Sequence, residues 1–158
     1  MGEFSHLDES GKAKMVDVGY KSASKRTASA QALVHLPEEV MVQFDGSDLK
    51  TKKGGVFQTA ILAGIMASKK TSDLIPLCHP LSLDNCAVDI EIENKNELKI
   101  TATASIESRT GVEMEALTAA SIAALTVYDM CKAFSHEIVI KEIKLLSKTG
   151  GKSDYKSA

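Results

Sequence analysis

An acid and a base stand three residues apart near the end of a long apolar run, Asp129 and Lys132 in Ala116-Leu-Thr-Ala-Ala-Ser-Ile-Ala-Ala-Leu-Thr-Val-Tyr-Asp-Met-Cys-Lys132. On a helix that spacing puts both on one face. Two readings are open. They form a paired ion couple at a helix end where Lys132 reaches water, or they are an acid/base pair lining a pocket. Lysine suits the second role because desolvation readily lowers its pKa. The same run opens on Val112-Glu113-Met114-Glu115. Acids at a helix start suit the dipole, and that alone would account for them. Yet Glu113 and Glu115 are two apart and cannot share a face, and a carboxylate can accept the N–H groups of an aminopyrimidine edge.

Three further groups invite the same question. Lys53 precedes Gly54-Gly55 and then a helical pattern. A helix start favours an anion, and glycines let backbone N–H groups approach a phosphate closely. A solvated loop lysine is the plainer reading, and the phosphate loop G-x-x-x-x-G-K-[ST] is absent. His79 lies in Leu77-Cys78-His79-Pro80-Leu81, where Pro76 and Pro80 stiffen the backbone. That rigidity suits a positioned phosphate donor or proton-transfer group as well as a structural histidine. Cys78 and His79, as neighbours in an extended chain, would point to opposite sides, which disfavours a thiol nucleophile with its base. Cations also gather at Lys21, Lys25 and Arg26 and at Lys148 and Lys152. Joined with Lys53 and Lys132 they would make one strongly positive pocket in a chain of net charge -2, fit for a small polyanion.

The elements that must position these groups follow from periodicity. Residues 1–26 are rich in Gly, Ser and charge and read as a flexible arm, gripped only at Met15-Val16-Asp17-Val18. Residues 27–158 read as a single domain. Thr27 to Leu36 alternates with Ala28, Ala30, Ala32 and Val34 on one face, a half-buried strand. Pro37-Glu38-Glu39 opens a short helix. Asp45 to Gly55 is a polar loop, Val56 to Lys70 a helix, and Thr71-Ser72-Asp73 a break. Ala87 to Ile92 and Leu98 to Ile106 alternate as a hairpin. Val112 to Phe134 is a long helix of roughly 33 Å, Ile138 to Leu146 a last strand, and the residues after it a mobile tail. This order predicts an α+β fold, a ferredoxin-like plait: a four-stranded antiparallel sheet with two main helices on one face. The long helix is apolar on nearly every side, more than one sheet can cover, which implies an oligomer.

Composition narrows the classes. The 158 residues suit one domain with a real core. The hydrophobic fraction of 44% and charged fraction of 25% are ordinary for a soluble protein. Aromatics at 4%, with no Trp and no basic patch interleaved with them, argue against nucleic acid. No run is apolar and long enough to span a bilayer, and the start lacks a signal peptide. Three cysteines without a C-x-x-C pair fit a cytoplasmic protein without structural zinc, as small buried hydrophobes.

Several blocks together carry a resemblance. Lys-Met-Val-Asp-Val, Lys-Gly-Gly-Val-Phe, Ile-Pro-Leu-Cys-His-Pro-Leu, Thr-Gly-Val-Glu-Met-Glu-Ala-Leu-Thr-Ala-Ala-Ser, Tyr-Asp-Met-Cys-Lys-Ala and Lys-Thr-Gly-Gly-Lys-Ser occur in this order across the chain. They resemble the molybdenum cofactor biosynthesis protein C family, the cyclic pyranopterin monophosphate synthases. The resemblance implies a lyase that converts (8S)-3',8-cyclo-7,8-dihydroguanosine 5'-triphosphate to cyclic pyranopterin monophosphate and pyrophosphate. It implies no metal and no organic cofactor, and a homohexamer, a trimer of dimers, with active sites between subunits. It places substrate contacts on Leu77, Cys78, His79, Met114 and Glu115, and catalysis on Asp129. Lys53, Lys132, Glu113 and Lys148 match other active-site positions. Arg26 and Lys21 match arm residues that reach a triphosphate.

On that basis Lys53 and Lys132 are the expected acid/base groups, with Asp129 orienting Lys132. His79, Arg26 and Lys148 would neutralise phosphates, and Glu115 with Glu113 would hold the guanine-derived ring. Two other classes fit the pattern without the blocks: a non-catalytic nucleotide- or pterin-phosphate-binding regulatory module of the same fold, and a structural assembly protein.

Overall fold

The computed structural model describes residues 6–158. Residues 1–5, the start of the expected arm, lie outside the described residues. The centre is strand β1, Ser24–His35, whose Ala28, Ala30, Ala32 and Val34 are fully buried on one face. A tight hairpin, β4 (Asn85–Asn94) and β5 (Glu97–Ser108), lies beside it. The β1–β5 register sets Ala28 opposite Ala104, Ala30 opposite Ala102, Ala32 opposite Ile100 and Val34 opposite Leu98. β6 (Val139–Thr149) flanks the other side of β1, with irregularities at Ser29/Ala30 and Leu33/Val34. All pairings are antiparallel, in the order β4-β5-β1-β6 with a short last strand, β7 (Tyr155–Lys156), beyond β6.

Two helices cover the buried face. α2 (Val56–Ser68) and α4 (Glu113–Cys131) pack on each other and on the strands. The alanines that made α4 look apolar all round bury its inner side: Ala116, Ala119, Ala120, Ala123 and Ala124 are fully covered. Small side chains there and on β1 bring helix and sheet backbones close. The outer side is open within the chain, with Leu125 53% exposed, and Leu62 and Met66 on α2 are 58% and 59% exposed.

Several expectations need correction. The sheet has five strands, because the tail turns back as β7 (Tyr155–Lys156), which pairs with Ser147 and Lys148. β1 begins at Ser24, so Lys25 and Arg26 belong to the strand, and β6 runs on to Thr149. The expected loop Asp45 to Gly55 contains a hairpin of β2 (Lys50–Thr51) and β3 (Gly54–Gly55). The expected break after α2 is itself one helical turn, α3 (Thr71–Leu74), whereas the short helix expected after β1 is present as α1 (Glu38–Met41). These pieces are too short to show a period in sequence.

Candidate active site

The apolar loop between α3 and β4 brings Leu77, Cys78 and His79 against the first turn of α4. There Met114 and Glu115, with Val16 and Val18 of the arm, close a cavity of about 510 Å³. Polar and charged groups, among them His6, Lys21, His79, Glu113, Glu115 and Lys148, line it beside the apolar ones. The His79 Nε2 lies 2.8 Å from the Val16 carbonyl, which can only accept, so Nε2–H donates to the arm. The Glu115 side chain is the buried carboxylate of this wall, in a residue 4% exposed. Desolvation pushes its pKa up, with repulsion from Glu113 adding to the rise, while a backbone hydrogen bond and His79 pull the other way. Burial, then Glu115, also raises the Cys78 thiol, which keeps it protonated and unfit as a nucleophile.

A second cavity, about 190 Å³, adjoins the first through Lys21, Thr110, Gly111, Glu113 and Lys148. It is cationic: Lys21, Arg26, Arg109, Lys148 and Lys152 line it against a single carboxylate, Glu113. The Lys148 ammonium donates to Glu113 at 3.0 Å on the shared border. This settles how two glutamates at i and i+2 are used. Glu115 turns inward to the buried wall, and Glu113 turns aside to the β6 lysine.

The expected acid/base group is elsewhere. Asp129 stands in the last turns of α4, where its Oδ1 accepts from Lys132 at 2.7 Å and its Oδ2 from Lys53 at 3.3 Å. All three side chains are about half exposed or more, although Val127, Met130 and Cys131 beside Asp129 are buried: the acid lies on the outward face of the last turn of α4. The hydrogen bond from Lys132, then that from Lys53, holds the Asp129 carboxyl below its usual range, and the same pairing raises Lys132. Pairing therefore outweighs desolvation at Lys132. Between Glu113 and Asp129 lie about four and a half helical turns, about 24 Å along the axis. The seven cations expected in one pocket thus divide. Lys21, Arg26, Lys148 and Lys152 gather at one end of α4 and Lys53 with Lys132 at the other, while Lys25 lines neither cavity.

At the start of α2, Lys53 is the half-exposed loop lysine of the plainer reading. The anion at that helix terminus is the chain's own Asp48, whose carboxylate accepts the Phe57 N–H at 2.7 Å. The glycines of Lys53-Gly54-Gly55 serve the hairpin and this cap, and the lysine is presented to Asp129 instead of to a phosphate on the helix. Sequence reasoning missed Arg109 as a site residue. Its only signal was its place directly before Thr110-Gly111 and the acidic helix start.

The comparisons with known proteins agree with this geometry. The chain is 51% identical to a cyclic pyranopterin monophosphate synthase of Xanthomonas campestris pv. campestris, over 98% of this chain and 93% of that protein. Proteins of the same name from Xanthomonas oryzae pv. oryzae and Xanthomonas axonopodis pv. citri are each 49% identical over the same shares. Residues 15–151 match the MoaC family, a stretch that takes in the arm segment held by His79, the lining of both cavities except His6, Lys152 and Ser153, and the Lys53-Asp129-Lys132 cluster, and the chain belongs to that family.

Proposed function

We propose that the protein is a cyclic pyranopterin monophosphate synthase, a lyase of molybdenum cofactor biosynthesis. It takes (8S)-3',8-cyclo-7,8-dihydroguanosine 5'-triphosphate and yields cyclic pyranopterin monophosphate and pyrophosphate. The observation that carries this reading is the pair of joined cavities. One is part apolar with a buried carboxylate, fit for a guanine-derived ring. The other is lined by five cations, fit for a polyphosphate. The border at Glu113 and Lys148 then lies where the ring-bearing sugar meets its phosphates.

In this reading Glu115, with Glu113, accepts N–H groups of the ring. Leu77, Cys78 and Met114 pack on it. His79, Arg26, Lys21 and Lys148 neutralise phosphate charge as it moves to the leaving group. Lys53 and Lys132 transfer the protons that ring opening and closure require, held by Asp129. No step calls on a metal or organic cofactor.

The distance of about 24 Å along α4 is too long for one substrate to touch both ends. A second copy must therefore bring its Lys53-Asp129-Lys132 cluster to the ring cavity. The open apolar side of α2 and α4 supports such an assembly, a homohexamer built as a trimer of dimers. The order of the four long strands, β4-β5-β1-β6, with α2 and α4 on one face, supports a ferredoxin-like plait to which β7 is added. Residues 27–158 form the catalytic domain, and His6, Val16, Val18 and Lys21 of the arm before it help to close the ring cavity. Free cysteines fit a cytoplasmic enzyme.

The test is turnover with enzymatically made cyclised GTP, scoring pyrophosphate release and the oxidised fluorescent pterin together. Both signals appear with the parent and vanish with Lys53→Ala at unchanged assembly. A folded oligomer that yields neither from intact substrate would overturn the assignment.

A further inference from the structure

The small cationic cavity contains two groups that the roles above leave unused, Arg109 and Lys152. Arg109 stands just past the end of β5, and Lys152 on the turn between β6 and β7. The turn is fixed in place from several directions. Ser24 Oγ donates to the Gly150 carbonyl at 2.8 Å, and the Gly150 N–H donates to Asp154 Oδ1 at 3.0 Å. Gly150 adopts φ 84°, and a Cβ there would overlap the Lys25 carbonyl, so only glycine lets the turn cross the start of β1. A Cβ at Gly151 would lie 2.8 Å from the Arg26 Nη1, so the second glycine makes room for that guanidinium beside the turn. Arg26 is held from its other side, where Nε donates to the Ser108 carbonyl at 3.3 Å, one residue before Arg109.

We infer that Arg109 and Lys152, with Arg26, form a clamp for the two terminal phosphates of the substrate, which become the leaving pyrophosphate. This rests on the proposed activity and adds the leaving-group end of the same site. The argument is one of charge and shape. Lys148 is already engaged with Glu113 at the border, so the cations beyond it are those that meet the far end of a polyphosphate threaded from the ring cavity. Two guanidinium forks offer paired donors matched to phosphate oxygens, and the lysine adds a point charge. Pyrophosphate therefore binds this cavity on its own, and it binds more tightly than orthophosphate, which can engage only part of the clamp.

Calorimetric titration of the full-length protein with inorganic pyrophosphate, and separately with orthophosphate, tests the clamp without any turnover. Saturable pyrophosphate binding is expected. Arg109→Gln and Lys152→Gln should each weaken it by about tenfold or more, as loss of a charge-assisted hydrogen bond does. Arg109→Lys should fall between parent and Arg109→Gln. Lys156→Gln removes an exposed charge on β7 outside both cavities and should leave binding unchanged. The inference fails if the parent does not bind pyrophosphate, if it binds orthophosphate equally well, or if Lys156→Gln weakens binding as much as Lys152→Gln. Both site residues lie at the surface, and matching melting curves identify a variant that has lost its fold. In that event Lys152→Gln and Arg109→Lys decide the matter separately. Loss of the clamp with turnover intact would count against this inference alone, whereas binding without turnover would count against the proposed activity.

Discussion

A Cβ added to Gly55 would lie 2.5 Å from Oδ2 of Asp48, the carboxylate that accepts the N–H of Phe57 in the first turn of α2. The glycine and the acid are thus one device. The hairpin delivers a buried anion to the positive end of the helix, and the missing side chain leaves room for it. Asp48→Ala should destabilise the fold by about 1–2 kcal/mol, as loss of a good cap does. Gly55→Ala should act by displacing the same carboxylate. The double variant, measured by urea unfolding, should therefore lose less than the two single losses added together. Full additivity would show that the two residues act independently.

Where α2 crosses α4, an added Cβ at Gly64 would meet the Ala119 carbonyl at 2.8 Å and the Ala123 Cβ at 3.3 Å. Two effects oppose each other in Gly64→Ala. Helix propensity favours alanine by about 1 kcal/mol. Overpacking a rigid helix backbone costs about 1–3 kcal/mol. The backbone carbonyl cannot swing aside, so the second effect wins. Thermal unfolding should place the variant below the parent, and a higher melting temperature would mean that the helices can part freely.

Burial holds the Glu115 carboxyl above the ordinary glutamate value, and this has a sign in stability. As pH rises through the unfolded value, about 4.3, the unfolded chain loses this proton first. Folding then grows less favourable until the raised folded value is passed. Glu115→Gln should therefore melt higher than the parent at pH 7.5, with the gap closing at pH 4, while losing turnover. Circular dichroism melts at the two pH values check it. A gap of equal size at both would assign the difference to something other than ionisation.

Much of this was legible because burial writes a period into sequence. Ala28, Ala30, Ala32 and Val34 alternate because a helix layer covers one side of β1, and the alanines of α4 are small because that layer lies close. What stayed hidden acts at a distance along the chain or over too few residues. Asp48 caps a helix that starts eight residues later, and Tyr155–Lys156 is a strand of two. Within one chain the expected cluster of cations divides between the two ends of α4. Sequence places Lys53 and Lys148 in the same list of cations, but only the length of α4 shows that Lys132 and Lys148 serve opposite ends.

The Asp129 carboxylate raises Lys132 chiefly by its hydrogen bond. Asp129→Asn should lower the Lys132 pKa, so the alkaline limb of kcat/KM against pH should move to lower pH if Lys132 works as a protonated group. The three side chains are exposed, and exposed ion pairs add little to folding. The melting temperature should stay near the parent's while activity falls. A fall in activity with an unmoved limb would take Lys132 out of proton transfer.

The sharpest prediction concerns which chain supplies which end of the site. Lys53→Ala damages the Asp129 end and Glu115→Gln the ring end, and each variant alone should be inactive. Suppose that every site joins the Asp129 end of one copy to the ring end of another. Subunits mixed at random by co-expression then place an intact Lys53 opposite an intact Glu115 in about one site in four. Turnover of the mixed oligomer should recover to about a quarter of the parent's. If each chain held a complete site, every site in the mixture would carry one lesion and activity would stay at the level of the variants. The distance along α4 argues for recovery, since no movement of side chains closes about 24 Å. Absence of recovery, in oligomers shown to contain both variants, would mean that the two ends of α4 serve different purposes and that the Lys53-Asp129-Lys132 cluster is not part of the ring-binding site.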